Sequence, residues 1–139
     1  MKGAQILLVR KDGALLLMQR DDKPGIINPG VISSFGGNVE EGEDPLTAAH
    51  REINEETNLG LNKDDLIFFK QYRKTKAEHG EDRDVYYFIA RDIDDSNLET
   101  YEGQGYVVVK NLKEALKQNL SILMRQVAKD FFTQNPPQA

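Results

Sequence analysis

The sequence predicts an α/β fold with one mixed sheet between helices, and three observations carry that reading. Two short, nearly continuous apolar runs, residues 5–10 and 14–20, flank Lys11-Asp12-Gly13. The Asp-Gly pair makes them a hairpin, and their unbroken apolarity means that both strand faces are covered. Next, Gly36-Gly37 leads into a segment where Leu46, Ala49 and Ile53 recur at helical spacing. A second amphipathic segment closes the chain, so the two helices can cover opposite faces of one sheet.

In order, residues 21–30 form a turn-rich loop with Pro24-Gly25 and Pro29-Gly30 as breakers. Residues 31–35 read as a brief strand that delivers the chain to the glycine pair. Asp44 is an expected N-cap and Pro45 the first helical residue, where a missing N–H costs nothing. Residues 66–72 and 85–90 are strands joined by a polar loop, in which Tyr86, Tyr87 and Phe88 should divide between core and surface. An acidic loop, 92–105, precedes a short strand at 106–109. Asn111 caps a short helix, and Asn119 or Ser121 caps the last one, with Ile122, Leu123, Met124, Val127, Ala128 and Phe131 on its buried side. Residues 134–139 should fray.

The 139 residues make one domain, 1–139, with 39% hydrophobic and 29% charged residues, as an ordered globular chain requires. No apolar run approaches the ~20 residues of a membrane span, and the N-terminal run is too short for a signal-peptide core. Without cysteine there is neither a disulfide framework nor a zinc-thiolate site. These absences point to a cytoplasmic protein. A net charge of −5 argues against broad nucleic-acid binding.

That acidity is concentrated. Glu52, Glu55 and Glu56 lie within one helical turn, and like charges at these spacings repel. Glu43 and Asp44 suit a helix N-terminus, but Glu55 and Glu56 sit at the opposite end, where the dipole prefers cations. A solvated acidic face is one explanation. The other is a site for a hard divalent cation held by oxygen ligands.

The spacing favours the second. Gly37, five residues, Glu43, seven residues, then Arg51-Glu52-Ile53-x-Glu55-Glu56-x-x-Leu59 resembles the signature box of the Nudix hydrolases. One position departs: Asn58 stands where the family usually has glycine, and it is expected to fill a left-handed position after the helix. The resemblance implies an α/β/α sandwich and hydrolysis of a nucleoside diphosphate linked to a further group, with Mg²⁺ or Mn²⁺ as cofactor. It implies Glu52, Glu56, Glu55 and the Gly36 carbonyl as metal ligands, and Arg51 as a partner of Glu55 and Glu43 that orients the box. The general base is then either Glu55 on the box or Glu102 in the late acidic loop, with Glu99 beside it. Arg20, Ser33 and Phe35 are the candidate substrate contacts. A (deoxy)nucleoside triphosphate or oxidised purine nucleotide leads as substrate, with nucleotide sugars open. A non-catalytic nucleotide sensor is the rival reading, and a second copy of the chain stays open as a partner.

Overall fold

The computed structural model describes residues 1–21, 30–79 and 82–134, with only the backbone of residues 78 and 79. The breakers Pro24-Gly25 and Pro29, and the tail beyond Gln134, lie outside the described residues. Seven strands form the described sheet: β1 (Lys2–Arg10), β2 (Leu15–Gln19), β3 (Ile32–Ser33), β4 (Phe35–Asn38), β5 (Ile67–Lys74), β6 (Arg83–Ile93) and β7 (Tyr106–Val109). The helices are α1 (Pro45–Glu56), α2 (Lys76–His79), α3 (Leu112–Leu116) and α4 (Ile122–Gln134), with a 3-10 turn at Lys63–Asp65.

The central strand is β1. It pairs in parallel with β6 and antiparallel with β2 and β4, and β5 closes the far edge against β6. The expected hairpin is β1–β2, with Leu8 opposite Leu16 and Gly13 at φ +87° in the turn. Along β1 the side chains alternate: Ala4, Ile6 and Leu8 enter one apolar layer, Leu7 and Val9 the other. The same period of two sorts Leu16 from Leu15 and Leu17, and Phe88 from Tyr87 and Ile89. Tyr87 and Phe88 are thus divided between two cores rather than between core and surface, because helices cover both faces.

Ala48, Ala49 and Ile53 of α1 fill one layer against Ile6 and Phe35. Met124, Val127, Ala128 and Phe131 of α4 fill the other, where Phe131 meets Phe69 edge-on at 6.4 Å. Each such large side chain, fully buried, contributes about 1.5–3 kcal/mol. The cap of α4 is Ser121, whose Oγ accepts from Met124 N–H at 3.2 Å. Ile122 is not on the buried side: it is 63% exposed at the helix start, before α4 meets the sheet, and Phe132 is buried in its stead. The loop expected after β5 holds the short α2, and β6 extends past both its expected ends.

The end of α1 also differs from expectation. Thr57 is extended at φ −139°, Asn58 has no positive φ, and Gly60 takes the left-handed conformation at φ +63°. Asn58 is therefore not a stand-in for glycine's backbone freedom.

Candidate active site

Helix α1 starts where the sequence placed it: Asp44 Oδ1 accepts from Thr47 N–H at 2.7 Å, and Pro45 opens the first turn. Strand β4 runs beside β1 and this helix, and its two glycines permit close approach, Gly36 to β1 and Gly37 to α1. Gly36 has φ +146°, and a Cβ there would strike the Ala4 carbonyl oxygen. A Cβ on Gly37 would lie 2.5 Å from the Glu52 carboxylate, which rests against the bare backbone.

Glu56 is the unusual member of the box. It is 1% exposed; its Oε1 accepts from Gly36 N–H at 3.0 Å, and its Oε2 has no hydrogen-bond partner among the described residues. Burial first, then the negative charges of Glu102 and Glu52, push its carboxyl up to about 8. Without a cation, burial therefore favours the protonated form of Glu56 at neutral pH.

Arg51 holds the rest of the box. Its Nε and Nη2 donate to the two oxygens of Glu43 at 2.8 and 2.9 Å, a bidentate fork. Its Nη1 donates to Glu52 Oε1 at 2.8 Å and, at a long 3.5 Å, to Glu55 Oε2, while Nη2 also reaches the Asn38 carbonyl at 3.1 Å. This fork, with the Glu40 N–H behind it, holds the Glu43 carboxyl down at about 2. The three glutamates do not share one face equally: Glu56 points inward, Glu52 lies on Gly37, and Glu55, 58% exposed, faces solvent.

Glu102 lies in an exposed loop brought to the same end of α1. The Tyr101 N–H donates to the Glu56 carbonyl at 2.8 Å, and Gln104 N–H donates to the Gln19 carbonyl at 2.8 Å. The charge of Glu102 acts on Glu56. His50 is structural, with Nε2 2.8 Å from the Leu61 carbonyl oxygen.

On the other side of Gly36-Gly37 opens a cleft of about 300 Å³, lined by Arg20, Ser33, Lys74 and Arg83 among others. Arg20 Nε is buried and has no partner among the described residues. Phe35 does not belong to this cleft. It is fully buried in the α1 layer, because the alternation of β4 turns it away, and it has no surface to offer a substrate. The cleft wall includes groups that sequence reasoning missed. The Ser34 hydroxyl donates to Gln5 Oε1 at 2.7 Å and lies 3.0 Å from the Tyr87 hydroxyl. Only Gln5, a polar residue at the head of an apolar run, hinted at this.

Among the described residues no three carboxylate or histidine side chains are gathered as a metal cluster. The donor chemistry nevertheless fits a hard cation. The orphaned oxygen of Glu56, whose other oxygen is held by Gly36, and the Glu52 carboxylate against Gly37 are hard donors beside bare backbone, where a cation would neutralise their charge. Gly36 is seen to act through its N–H, as a donor to Glu56.

The NUDIX domain model matches residues 1–131. The fold is similar to that of the MutT protein from Methanosarcina mazei Go1, with TM-score 0.79 and 21% identity over 98% of this chain and 95% of that one. An Ap4A hydrolase from C. elegans superposes with TM-score 0.73, at 23% identity over 96% of each chain. A bifunctional NMN adenylyltransferase/ADP ribose pyrophosphatase from Francisella tularensis, complexed with AMP and a Mn ion, gives TM-score 0.73 at 18% identity. There the match covers 96% of this chain and 41% of the larger protein.

Proposed function

Since the chain belongs to the Nudix family, hydrolases of phosphoric anhydrides that need a divalent metal, we propose that it cleaves a diphosphate bond in a nucleoside di- or triphosphate derivative. A (deoxy)nucleoside triphosphate or an oxidised purine nucleotide is the leading substrate. The observation that carries this reading is the meeting of two features at Gly36-Gly37: a cleft with Arg20, Lys74 and Arg83 on its wall, and the Glu52–Glu56 pair behind its floor. The first suits an anionic substrate and the second a cation; together they suit a metal-bound diphosphate.

In this reading Arg20 and Ser33 contact substrate, and Glu52, Glu55 and Glu56 hold Mg²⁺ or Mn²⁺. The bound cation neutralises phosphate oxygens and lowers the pKa of water. Arg51, gripping Glu43 and Glu52, keeps the carboxylates in place as an outer-shell partner does. Glu102 or Glu55 takes a proton from water as its oxygen bonds to phosphorus, and the bridging P–O bond breaks towards the leaving phosphate. A sensor without activity would not need the intact set of box carboxylates.

The test is a panel of nucleoside triphosphates, dinucleoside polyphosphates and nucleotide sugars with Mg²⁺ or Mn²⁺, with products identified. Hydrolysis of at least one compound, abolished in Glu56→Gln, is expected. If no phosphoric anhydride is cleaved, or if turnover survives exhaustive chelation, the reading fails.

A further inference from the structure

Asn58, the one departure from the box pattern, makes a set of contacts that glycine could not. Its Nδ2 donates to the Asn97 carbonyl at 2.9 Å, and its Oδ1 accepts from the Glu99 N–H at 2.8 Å. Its own N–H donates to the Glu99 carbonyl at 3.2 Å. One residue at the end of α1 thus grips one loop through both a donor and an acceptor of a single carboxamide.

The grip is continued by its neighbours. Thr57 bridges Thr100, and the Glu56 carbonyl accepts from Tyr101 N–H at 2.8 Å. Beyond Glu102 the loop is fixed again: Gln104 N–H donates to Gln19, and Gly103 at φ +74° packs so closely that a Cβ would strike the Gln19 carbonyl oxygen. Glu102 therefore sits between two anchors, one on α1 and one on β2.

We propose that Asn58 is a positioning residue, whose carboxamide docks residues 97–101 onto the end of α1 and thereby holds Glu102 beside Glu56. A carboxamide carries both a donor and an acceptor, aspartate at neutral pH carries only acceptors, and alanine or glycine carries neither. With glycine at 58 only the backbone bond to Glu99 would remain, from the residue type least restrained in its own conformation. The side chain thus replaces a flexible corner with a fixed one next to the carboxylates. The proposal rests on the functional reading above in giving Glu102 a part in turnover.

The experiment combines Asn58→Ala, Asn58→Asp, Glu102→Gln and the double variant Asn58→Ala/Glu102→Gln. Amide hydrogen exchange at Glu99 and Tyr101 is read alongside kcat and KM for the best substrate of the panel with Mg²⁺. In Asn58→Ala the Glu99 amide should exchange about tenfold faster or more while the rest of the chain stays protected. Its kcat should fall about tenfold, with KM held within about twofold. Asn58→Asp keeps the acceptor for Glu99 and should recover part of the protection. Because Asn58 acts through Glu102, the double variant should be no slower than Glu102→Gln alone. Unchanged exchange in folded Asn58→Ala would overturn the proposal, as would multiplicative rate losses in the double variant. A wild type inert towards every phosphoric anhydride would refute the functional reading instead, and exchange at Glu99 would then decide the clamp by itself.

Discussion

Glu56→Gln separates the charge of this buried group from its shape, and the metal-free protein is where the difference should be largest. The amide keeps the size of the carboxyl and removes the group whose pKa is raised from 4.5 to about 8. At about 1.4 kcal/mol per pKa unit, that displacement corresponds to a ceiling on the order of 5 kcal/mol between the protonated and ionised states. Relaxation of the Glu52 side chain and movement of Glu102 reduce it, and about half is a working value. The folded state binds this proton more tightly than the unfolded chain between pH 4.5 and about 8. Stability is therefore intact below the window, falls as pH rises through it, and levels off above it. Asp12 and Glu43, both held near 2, titrate outside this range. At about 3–5 °C per kcal/mol for a domain of this size, Tm in chelator should drop by about 10 °C from pH 5 to pH 8.5. Thermal melts of wild type and Glu56→Gln at both pH values measure this, and their difference cancels every group common to the two. Mg²⁺ at pH 8.5 should restore the wild type and leave the variant unmoved. A wild-type Tm that is level across the window, or an equal slope in the variant, would refute the reasoning.

Three more outcomes are expected. Mg²⁺ or Mn²⁺ should raise Tm in proportion to RT ln(1 + [M]/Kd), and exhaustive chelation should abolish turnover; full activity without metal would contradict the ligand set. Glu102→Gln should lower kcat by about a hundredfold and flatten the acidic limb of the pH–rate profile, with nucleotide affinity unchanged; if Glu55→Gln does this and Glu102→Gln does not, the base is on the box. Gly37→Ala should displace the Glu52 carboxylate, costing about 1–3 kcal/mol in denaturant unfolding and most of the turnover; normal activity would show that Glu52 has room to move.

The residues that could be read from sequence were those whose role is local. Asp44 and Pro45 start α1 through bonds within one turn, and the alternation along β1 and β2 needs only the period of a strand. Arg51 with Glu55 was legible from the four-residue spacing on one helix, and Arg51 with Glu43 from the resemblance to the family box. Asn58 was misread for the converse reason: its partners, Asn97 and Glu99, lie about forty residues on, and only tertiary structure brings them back. Phe35 was misassigned because proximity in sequence to the glycine pair says nothing of which face of β4 a side chain takes. The depth of Glu56 was likewise invisible, since Glu52, Glu55 and Glu56 are chemically alike and only the packing of Gly36 and the late loop tells them apart.

The two apolar layers divide the risks of sequence change unequally. Phe69, Met124, Val127, Phe131 and Phe132 crowd the α4 layer away from the cleft, whose wall that layer reaches through Val85, Tyr87 and Leu123. Altered bulk at those five would be met between α4 and the sheet, whereas a change at Val85 or Tyr87 would reshape the cleft wall. Under α1 the contact is made by Ala48 and Ala49, both wholly enclosed, and these small residues set the height of the helix above the sheet. A single added methyl group has nowhere to go except to lift α1, and with it Glu52 and Glu56. Freedom to change is therefore greatest in the α4 layer away from the cleft, and α1 is held to tolerance by two alanines.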